Sequence, residues 1–401
     1  MERPPLAVPT PVCRLIATLV EAGHETLLVG GSIRDLLFGT PIGDFDAATA
    51  ARPDQVLALF PRAVPIGLQH GTVMIPTESG PVDVTTFRGG GGIEVDLSHR
   101  DFTVNAMAYD PAAEQLFDPF GGLAHLSDRK LRAVRSAQAR FAEDPLRALR
   151  AARLVATLGF EVDGEIERAM GAVGTALSRV ARERVRAELS GLLLGDHAGP
   201  ALALLRRTGL EADLAPGANA DAAVVVPALP RHLELRVAAW LQGAKAAAIL
   251  RRHRFGRRRS EQVLHLLGLQ PLEAQIQPGR EAAVRRLIRR AGEEDLAAVT
   301  LWRRIQLERV APDAEASARL DALEEALARV RSAGALALQR QDLALDGRAV
   351  MTLLGCEPGR TVGRALDYLT ERVIEDPECN TPGALRAILA QWHAASQLEG
   401  A

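Results

Sequence analysis

A short apolar run, Thr26-Leu27-Leu28-Val29, closes on Gly30-Gly31-Ser32-Ile33-Arg34-Asp35, and Gly43-Asp44-Phe45-Asp46 follows. Glycines at a strand end let the backbone approach a ligand closely. A helix that begins there points N–H groups at phosphate. Arg34 adds a charged fork. Asp44 and Asp46 are spaced two apart, which on a strand puts both on one face. Acidic groups sharing a face repel unless a divalent cation sits between them, and Mg²⁺ takes a few carboxylates together with substrate phosphate oxygens. Separately, these features are a tight turn and a solvated strand end. Together they predict a metal–nucleotide site built from Gly30, Gly31, Arg34, Asp44 and Asp46. Asp83, in Val82-Asp83-Val84-Thr85-Thr86-Phe87-Arg88, is either a third carboxylate on a neighbouring strand or a solvent-facing strand residue.

These residues need a strand–turn–helix unit, and the pattern supplies one: a helix over 12–23, the strand 26–29, and a new helix from Ile33. Strand-like runs follow at about 72–76, 82–87 and 103–109, and Gly89 to Gly92 predicts a flexible loop before Arg100. From Phe141 the pattern is helical almost to the end, so the layout is a small α/β head on a long helical body. Composition agrees. The chain has 401 residues, 47% hydrophobic and 24% charged, which excludes wholesale disorder, and 4% aromatic, which disfavours an aromatic-rich β-sandwich. The net charge of −2 means that any nucleic-acid surface is local. All but Lys130 and Lys245 of the 48 cationic residues are arginine, whose fork grips phosphate in bidentate fashion. Cys13, Cys356 and Cys379 are too few and too scattered for a disulfide scaffold or a Cys-rich zinc site. Met1 to Pro5 carry no signal-like segment and no apolar run reaches membrane-spanning length, so a cytoplasmic location away from membranes is expected.

Several segments then carry a resemblance. Gly30–Asp35, Asp44-Phe45-Asp46, Arg100-Asp101-Phe102-Thr103-Val104-Asn105-Ala106-Met107-Ala108, Asp118-Pro119-Phe120-Gly121-Gly122-Leu123, Arg140 to Arg153 and Glu183-Arg184-Val185-Arg186-Ala187-Glu188 occur in this order. The chain resembles the bacterial-type (class II) tRNA nucleotidyltransferase and poly(A) polymerase family, densely over about 25–190. Leu354 to Gly363 looks like the family's tail segment. The resemblance implies a nucleotidyltransferase-fold α/β head (1–138), a helical neck with a base-reading motif (139–200), a helical RNA-binding body (201–330) and a helical tRNA-binding tail (331–401). It implies template-independent transfer of a nucleotide to an RNA 3′-hydroxyl with release of pyrophosphate. Asp44 and Asp46 inherit the holding of two Mg²⁺ ions, with Asp83 beside them. Gly30, Gly31 and Arg34 inherit the triphosphate, and Arg100 a nucleotide contact.

Pro145 suits a first helical turn, so Asp144 is placed to cap that helix. Asp144, Arg147 and Arg150 also recur at i+3 steps near one face. A carboxylate accepts from the exocyclic amine of cytosine or adenine, and a guanidinium donates to the ring acceptors beside it. Uracil and guanine reverse those groups, and each lost pair costs about 1–3 kcal/mol. One Asp/Arg pair can therefore select C and A. The family uses this motif so, which assigns base reading to Asp144 and Arg147 and supporting contacts to Arg150 and Arg153. Arginines cluster again at Arg251, Arg252, Arg254, Arg257, Arg258 and Arg259, and at Arg285, Arg286, Arg289 and Arg290. A charge run is ordinarily a solvated helix face. Next to such a head these clusters are expected to hold the tRNA backbone, and the Pro358-Gly359-Arg360 turn to offer a further phosphate site.

Two departures bear on specificity. The family usually has two arginines before Asp-Phe-Thr, and here the first is His99. The stretch from Gly89 to His99 is short, and relatives that add only the two cytidines have a shortened loop, because accepting adenine requires a lever that remodels the pocket. The expectation is addition of CC to the tRNA 3′ end from CTP, with a separate A-adding enzyme completing the same tRNA. Full CCA addition from CTP and ATP is the alternative, followed by terminal A addition or poly(A) polymerase. Gln69-His70-Gly71-Thr72-Val73 looks more like the tRNA-directed branch. A non-catalytic RNA-binding protein is the alternative of a different class, disfavoured because binding alone needs no paired metal carboxylates. No HxxxHD phosphohydrolase pattern is present.

Overall fold

The computed structural model describes residues 6–40, 42–67, 71–275, 281–334, 336 and 338–398; Gln69 and His70 lie outside them. Contacts divide the chain into two units, Met1–Ala218 with Gly243–Phe255 and Asn219–Gln242 with Gly256–Ala401. The segments expected as head and neck fall in the first.

That unit opens with α1 (Thr10–Glu21), β1 (Thr26–Val29), α2 (Gly31–Phe38), β2 (Phe45–Thr49), α3 (Pro53–Leu59), β3 (Val64–Gly67), β4 (Thr72–Thr77), β5 (Gly80–Thr86), α4 (Gly92–Ser98), β6 (Ala108–Asp110), β7 (Gln115–Phe117) and α5 (Gly122–Ser127). The seven strands form one mixed sheet in the order β3-β4-β5-β2-β1-β6-β7. All four residues of β1 are buried, as a central strand covered on both faces requires. Its neighbours β2 and β6 run antiparallel to it, while β2 and β5 are parallel. That parallel register sets Asp46 beside Asp83. α1 buries Val12, Leu15, Ile16 and Leu19 at helical spacing.

The structure differs from the sequence-based elements between Arg88 and Ala108. Gly89–Gly92 is not followed by loop: Arg88–Gly90 forms a 3₁₀ turn, and α4 fills the rest of the segment before Arg100. Leu97 belongs to the head core with Leu27, Val29 and Ala108, with Ile93 packed alongside, and that burial anchors the helix. A Cβ on Gly91 would lie 2.5 Å from Val95 Cγ2, so the glycine there permits close packing. The run 103–109 is strand only from Ala108; Thr103–Asn105 is a 3₁₀ turn.

After a two-strand pair, β8 (Lys130–Leu131) with β9 (Glu161–Val162), the first unit is helical: α6 (Ala137–Glu143), α7 (Leu146–Leu158), α8 (Gly164–Val173), α9 (Arg182–Leu194), α10 (Ala198–Arg207) and α11 (Leu210–Leu214). In α7, Ala148, Ala151, Ala152 and Ala156 are buried, and such small side chains let neighbouring helices approach closely. The second unit holds α12 (Ala222–Ala228), α13 (Leu233–Leu241), α15 (Arg257–Gly268), α16 (Glu281–Ala291), α17 (Glu293–Arg309), α18 (Ala314–Ser332), α19 (Gly347–Leu354), α20 (Arg360–Glu375) and α21 (Pro382–Leu398); α14 (Ala246–Arg252) returns to the first. Leu345, Val350, Leu369, Val373, Leu385 and Leu389 join the last three helices in one core.

The Asp118–Leu123 motif has a local explanation. Asp118 Oδ1 accepts the N–H of Gly122 (2.6 Å) and Oδ2 that of Leu123 (2.9 Å), so one carboxylate satisfies two donors at the start of α5. Asp118→Ala is expected to lower stability by about 1–2 kcal/mol in urea titration, and an unchanged midpoint would refute this capping role.

Candidate active site

β1 ends on Gly30, whose φ of 82° and ψ of −145° suit glycine. A Cβ there would sit 3.0 Å from Arg100 Nη1 and 3.2 Å from Asp46 Oδ2. The backbone thus passes directly beneath a cation and an acid. α2 starts immediately after, at Gly31, two residues before the expected Ile33. Arg34 is fixed by its neighbours: Nε donates to Asp35 Oδ1 (2.8 Å) and Nη1 to Asn105 Oδ1 (2.6 Å).

Asp46 lies within β2, whereas Asp44 stands just before it, so the two do not share a strand face by alternation alone. Burial pushes the Asp46 carboxyl above the ordinary range; Arg100 pulls it down, and Asp83 and Asp44 push it further up. Burial, then Asp44, raises Asp83 in the same way. Among the described residues no group of three or more His, Cys, Asp and Glu side chains is gathered as a finished metal cage. The donor set nevertheless fits Mg²⁺, which binds few carboxylates and completes its shell with water and phosphate oxygens. Asp44 and Asp46 are the residues that would hold it, with Asp83 beside Asp46 on the neighbouring strand.

A cavity of about 1010 Å³ opens at Gly30, Gly31 and Asp46, and Arg100, Asp144, Arg147 and Arg150 line it as well. Two constellations nearly a hundred residues apart in sequence therefore face one space. Asp144 precedes α7 and is not on it with Arg147 and Arg150, because Pro145 starts the helical turn. Its Oδ1 accepts the Leu146 N–H (3.1 Å), a capping role, and its Oδ2 accepts Nη2 of Arg184 (2.8 Å). Arg147 donates to Glu143 Oε2 and to the His99 carbonyl, both at 3.0 Å.

Arg150 bridges Asp101 Oδ2 (3.1 Å) and Glu188 Oε1 (3.3 Å). Burial opposes the Asp101 charge, but Arg150, the Asn105 amide and the Phe102 N–H together hold its carboxyl below the usual range. Arg153, expected at the nucleotide, is not among the residues lining the cavity; its Nε donates to Glu188 Oε2 at 2.5 Å. Arg88, His99, Asp101, Asn105, Glu143 and Arg184 also line the cavity. Sequence reading assigned none of them a site role. Five lie in or beside motifs already quoted for resemblance, and Arg88 closes a recognised strand run.

The arginine clusters are divided. Arg252 donates to the Asp213 carbonyl (2.8 Å) and Arg254 to Glu183 (2.5 Å) in the first unit. Arg257 pairs with Glu261 (2.7 Å) and Arg259 with Glu234 (3.2 Å) in the second. Arg251 and Arg258 are exposed. Arg285 is buried, bonded to the Ile374 carbonyl and Glu281, and Arg286 is taken by Glu371 and Glu375. Arg285 is thus committed to the unit's own packing and unavailable to RNA.

Residues 26–132 match the poly A polymerase head domain, and 159–221 match a probable RNA and SrmB-binding site of polymerase A. A solved CCA-adding enzyme of Bacillus stearothermophilus, in complex with CTP, is 30% identical, with a TM-score of 0.76 over 99% of this chain and 100% of that one. The chain belongs to the tRNA nucleotidyltransferase and poly(A) polymerase family. Among curated members, a CCA-adding enzyme of Geobacillus thermodenitrificans is 42% identical over 218 residues, 51% of this chain and 54% of that one. A CC-adding tRNA nucleotidyltransferase of Shouchella clausii is 45% identical over 196 residues, 49% of this chain and 51% of that one. The chain spans about half the length of these curated relatives. No helix among the described residues is long and apolar enough to cross a membrane.

The raised Asp46 carboxyl implies that its charge destabilises the ligand-free protein. Asp46→Asn is expected to raise the melting temperature without Mg²⁺ and to remove the stabilisation that Mg²⁺ gives the parent. An equal Mg²⁺ response in both proteins, followed by differential scanning fluorimetry, would contradict the ligand assignment.

Proposed function

We propose that this protein is a tRNA nucleotidyltransferase that adds the two cytidines of the 3′ end from CTP. One observation carries the reading: Gly30, Gly31, Asp46 and Arg100 share a cavity with Asp144, Arg147 and Arg150. A triphosphate at the first group and a base at the second fit one nucleotide. The primer 3′-oxygen attacks the α-phosphorus, the α–β phosphoanhydride bond breaks, pyrophosphate leaves, and the hydroxyl proton passes to solvent. Divalent cations held by Asp44 and Asp46, with Asp83 beside them, would lower the pKa of that hydroxyl and neutralise the leaving pyrophosphate.

The chain's own residues do the rest. The Gly30 backbone leaves room for phosphate, the start of α2 presents N–H groups, and Arg100 supplies positive charge facing Gly30. Arg34, expected at the triphosphate, is held by Asp35 and Asn105 and is not among the residues lining the cavity, so its proposed part is to fix the turn around Gly31. Asp144 accepts from the amine of cytosine and Arg147 donates to its ring acceptors, with Arg150 and Arg153 supporting through Glu188. Exposed Arg251 with Arg252 and Arg254 in the first unit, and separately exposed Arg258 with Arg257 and Arg259 in the second, are proposed to meet the tRNA backbone.

The restriction to cytidine rests on the segment between Gly89 and His99. It is short, and α4 with its buried Leu97 ties it to the head core, which leaves little lever for remodelling the pocket around adenine. The likeness to a CC-adding relative supports this reading. Full CCA addition is the second reading, favoured by the likeness over the whole chain to a CCA-adding enzyme.

The test offers CTP alone, ATP alone or both to tRNAs that end before or after the two cytidines. The expected result is incorporation of two CMP and none of AMP. Efficient AMP transfer to the tRNA ending in CC together with CMP transfer to the shorter tRNA would establish the second reading, AMP transfer without CMP transfer would make the protein an A-adding enzyme, and no transfer of either nucleotide would refute all three. In the same assay Arg147→Ala is expected to reduce discrimination of CTP over UTP by about 10–100-fold.

A further inference from the structure

Asp96 is a carboxylate only 1% exposed, in a segment whose sequence suggested nothing but loop. It sits on α4, one residue before the core side chain Leu97. Its Oδ1 accepts the backbone N–H of Arg88 at 3.2 Å. Its Oδ2 accepts Nη2 (3.1 Å) and Nε (3.3 Å) of Arg100. The remaining nitrogen, Nη1, is the one that a Cβ on Gly30 would meet at 3.0 Å, beside Asp46 Oδ2. Arg100 also acts on Asp46 as its leading favourable charge. The guanidinium thus stands between two acids, and only Asp96 is within hydrogen-bond distance of it.

We propose that Asp96 is a positioning residue. It holds Arg100 by Nε and Nη2, which leaves Nη1 turned to the phosphates of the bound nucleotide, and it keeps Arg100 from closing onto Asp46. Freed from Asp96, the Arg100 cation is drawn to the nearest remaining acid, and an Arg100–Asp46 pair competes with a divalent cation for that carboxylate. By binding the Arg88 N–H as well, Asp96 joins the two ends of the 88–100 excursion, so the geometry of the loop and of the phosphate contact are set together. This inference rests on the nucleotide site proposed above.

The experiment measures CTP binding by calorimetry, and the Mg²⁺ midpoint by thermal shift, for the full chain and for Asp96→Asn, Arg100→Ala and the double variant. Asn keeps the acceptor for Arg88 and removes the charge. Asp96→Asn is expected to weaken CTP binding at least tenfold and to move the Mg²⁺ midpoint upward, yet to add nothing once Arg100 is alanine. Equal weakening in both backgrounds, as loss of structure alone would give, overturns the proposal, as does unchanged binding. Arg100→Lys covers the case in which Asp96→Asn does not fold. One ammonium cannot hold Asp96 and face Gly30 together, so it is expected to bind CTP as poorly as Arg100→Ala, and binding like the parent overturns the proposal. A parent protein that fails to bind CTP, or an Arg100→Ala variant that binds it normally, overturns the nucleotide site itself. An unaffected Asp96→Asn beside a weakened Arg100→Ala overturns only the role of Asp96.

Discussion

Asp46 and Asp83 stand opposite each other across two parallel strands, and Asp44 guards the entry to the first. Negative charge concentrated at one end of the central strands is the constraint around which the rest of the head is arranged. Burial and mutual repulsion both raise Asp46, and Arg100 and Arg150 are the cations that offset this. Such a cluster is costly to fold and gains its use when positive charge and phosphate arrive together. The turn at Gly30 leaves the approach to Asp46 open.

The second requirement of the proposed function is that Asp144 and Arg147 face the same space as Asp46. Asp101 does much of that work. It follows directly on Arg100, is buried, and takes Arg150 of α7. Arg150 in turn reaches Glu188 of α9, which also holds Arg153. Hydrogen bonds to charged groups in such a network are worth roughly 1.5–3 kcal/mol each when removed. Through them the motif around Asp101 fixes where α7 lies, and hence where Asp144 and Arg147 face the cavity. Those two do not bond each other: Asp144 rests on Arg184 and Arg147 on Glu143. Both are already oriented by their own neighbours before a base is present.

Much of this was legible beforehand. β1 and the glycines after it were readable because Leu27-Leu28-Val29 running into Gly-Gly has few alternatives. Asp46, Asp144 and Arg147 stand out in the sequence by residue type and line one cavity, whereas the strand alternation expected of Asp44 and Asp46 and the shared helix face expected of Asp144 are absent, because β2 starts at Phe45 and Pro145 starts the turn of α7. What escaped was tertiary. Gly89 to Gly92 reads as flexible by composition, but Leu97 and Ile93 draw the following residues into the core as α4. Asp96 offered no signal, since a lone acid in a polar segment reads as solvated and only packing reveals that it is buried. Arg153 and Arg285 read as contacts for a ligand, yet Glu188 takes the first and burial beside the Ile374 carbonyl takes the second. An arginine count cannot tell a free fork from one spent inside the fold.

The most direct measurement is a crystal structure of this protein soaked with CTP and Mg²⁺. The account predicts one nucleotide in the cavity, its triphosphate between Gly30, Arg100 and Asp46 and its cytosine amine on the Asp144 carboxylate beside Arg147. A nucleotide bound elsewhere, or one whose base points away from Asp144 and Arg147, would contradict it.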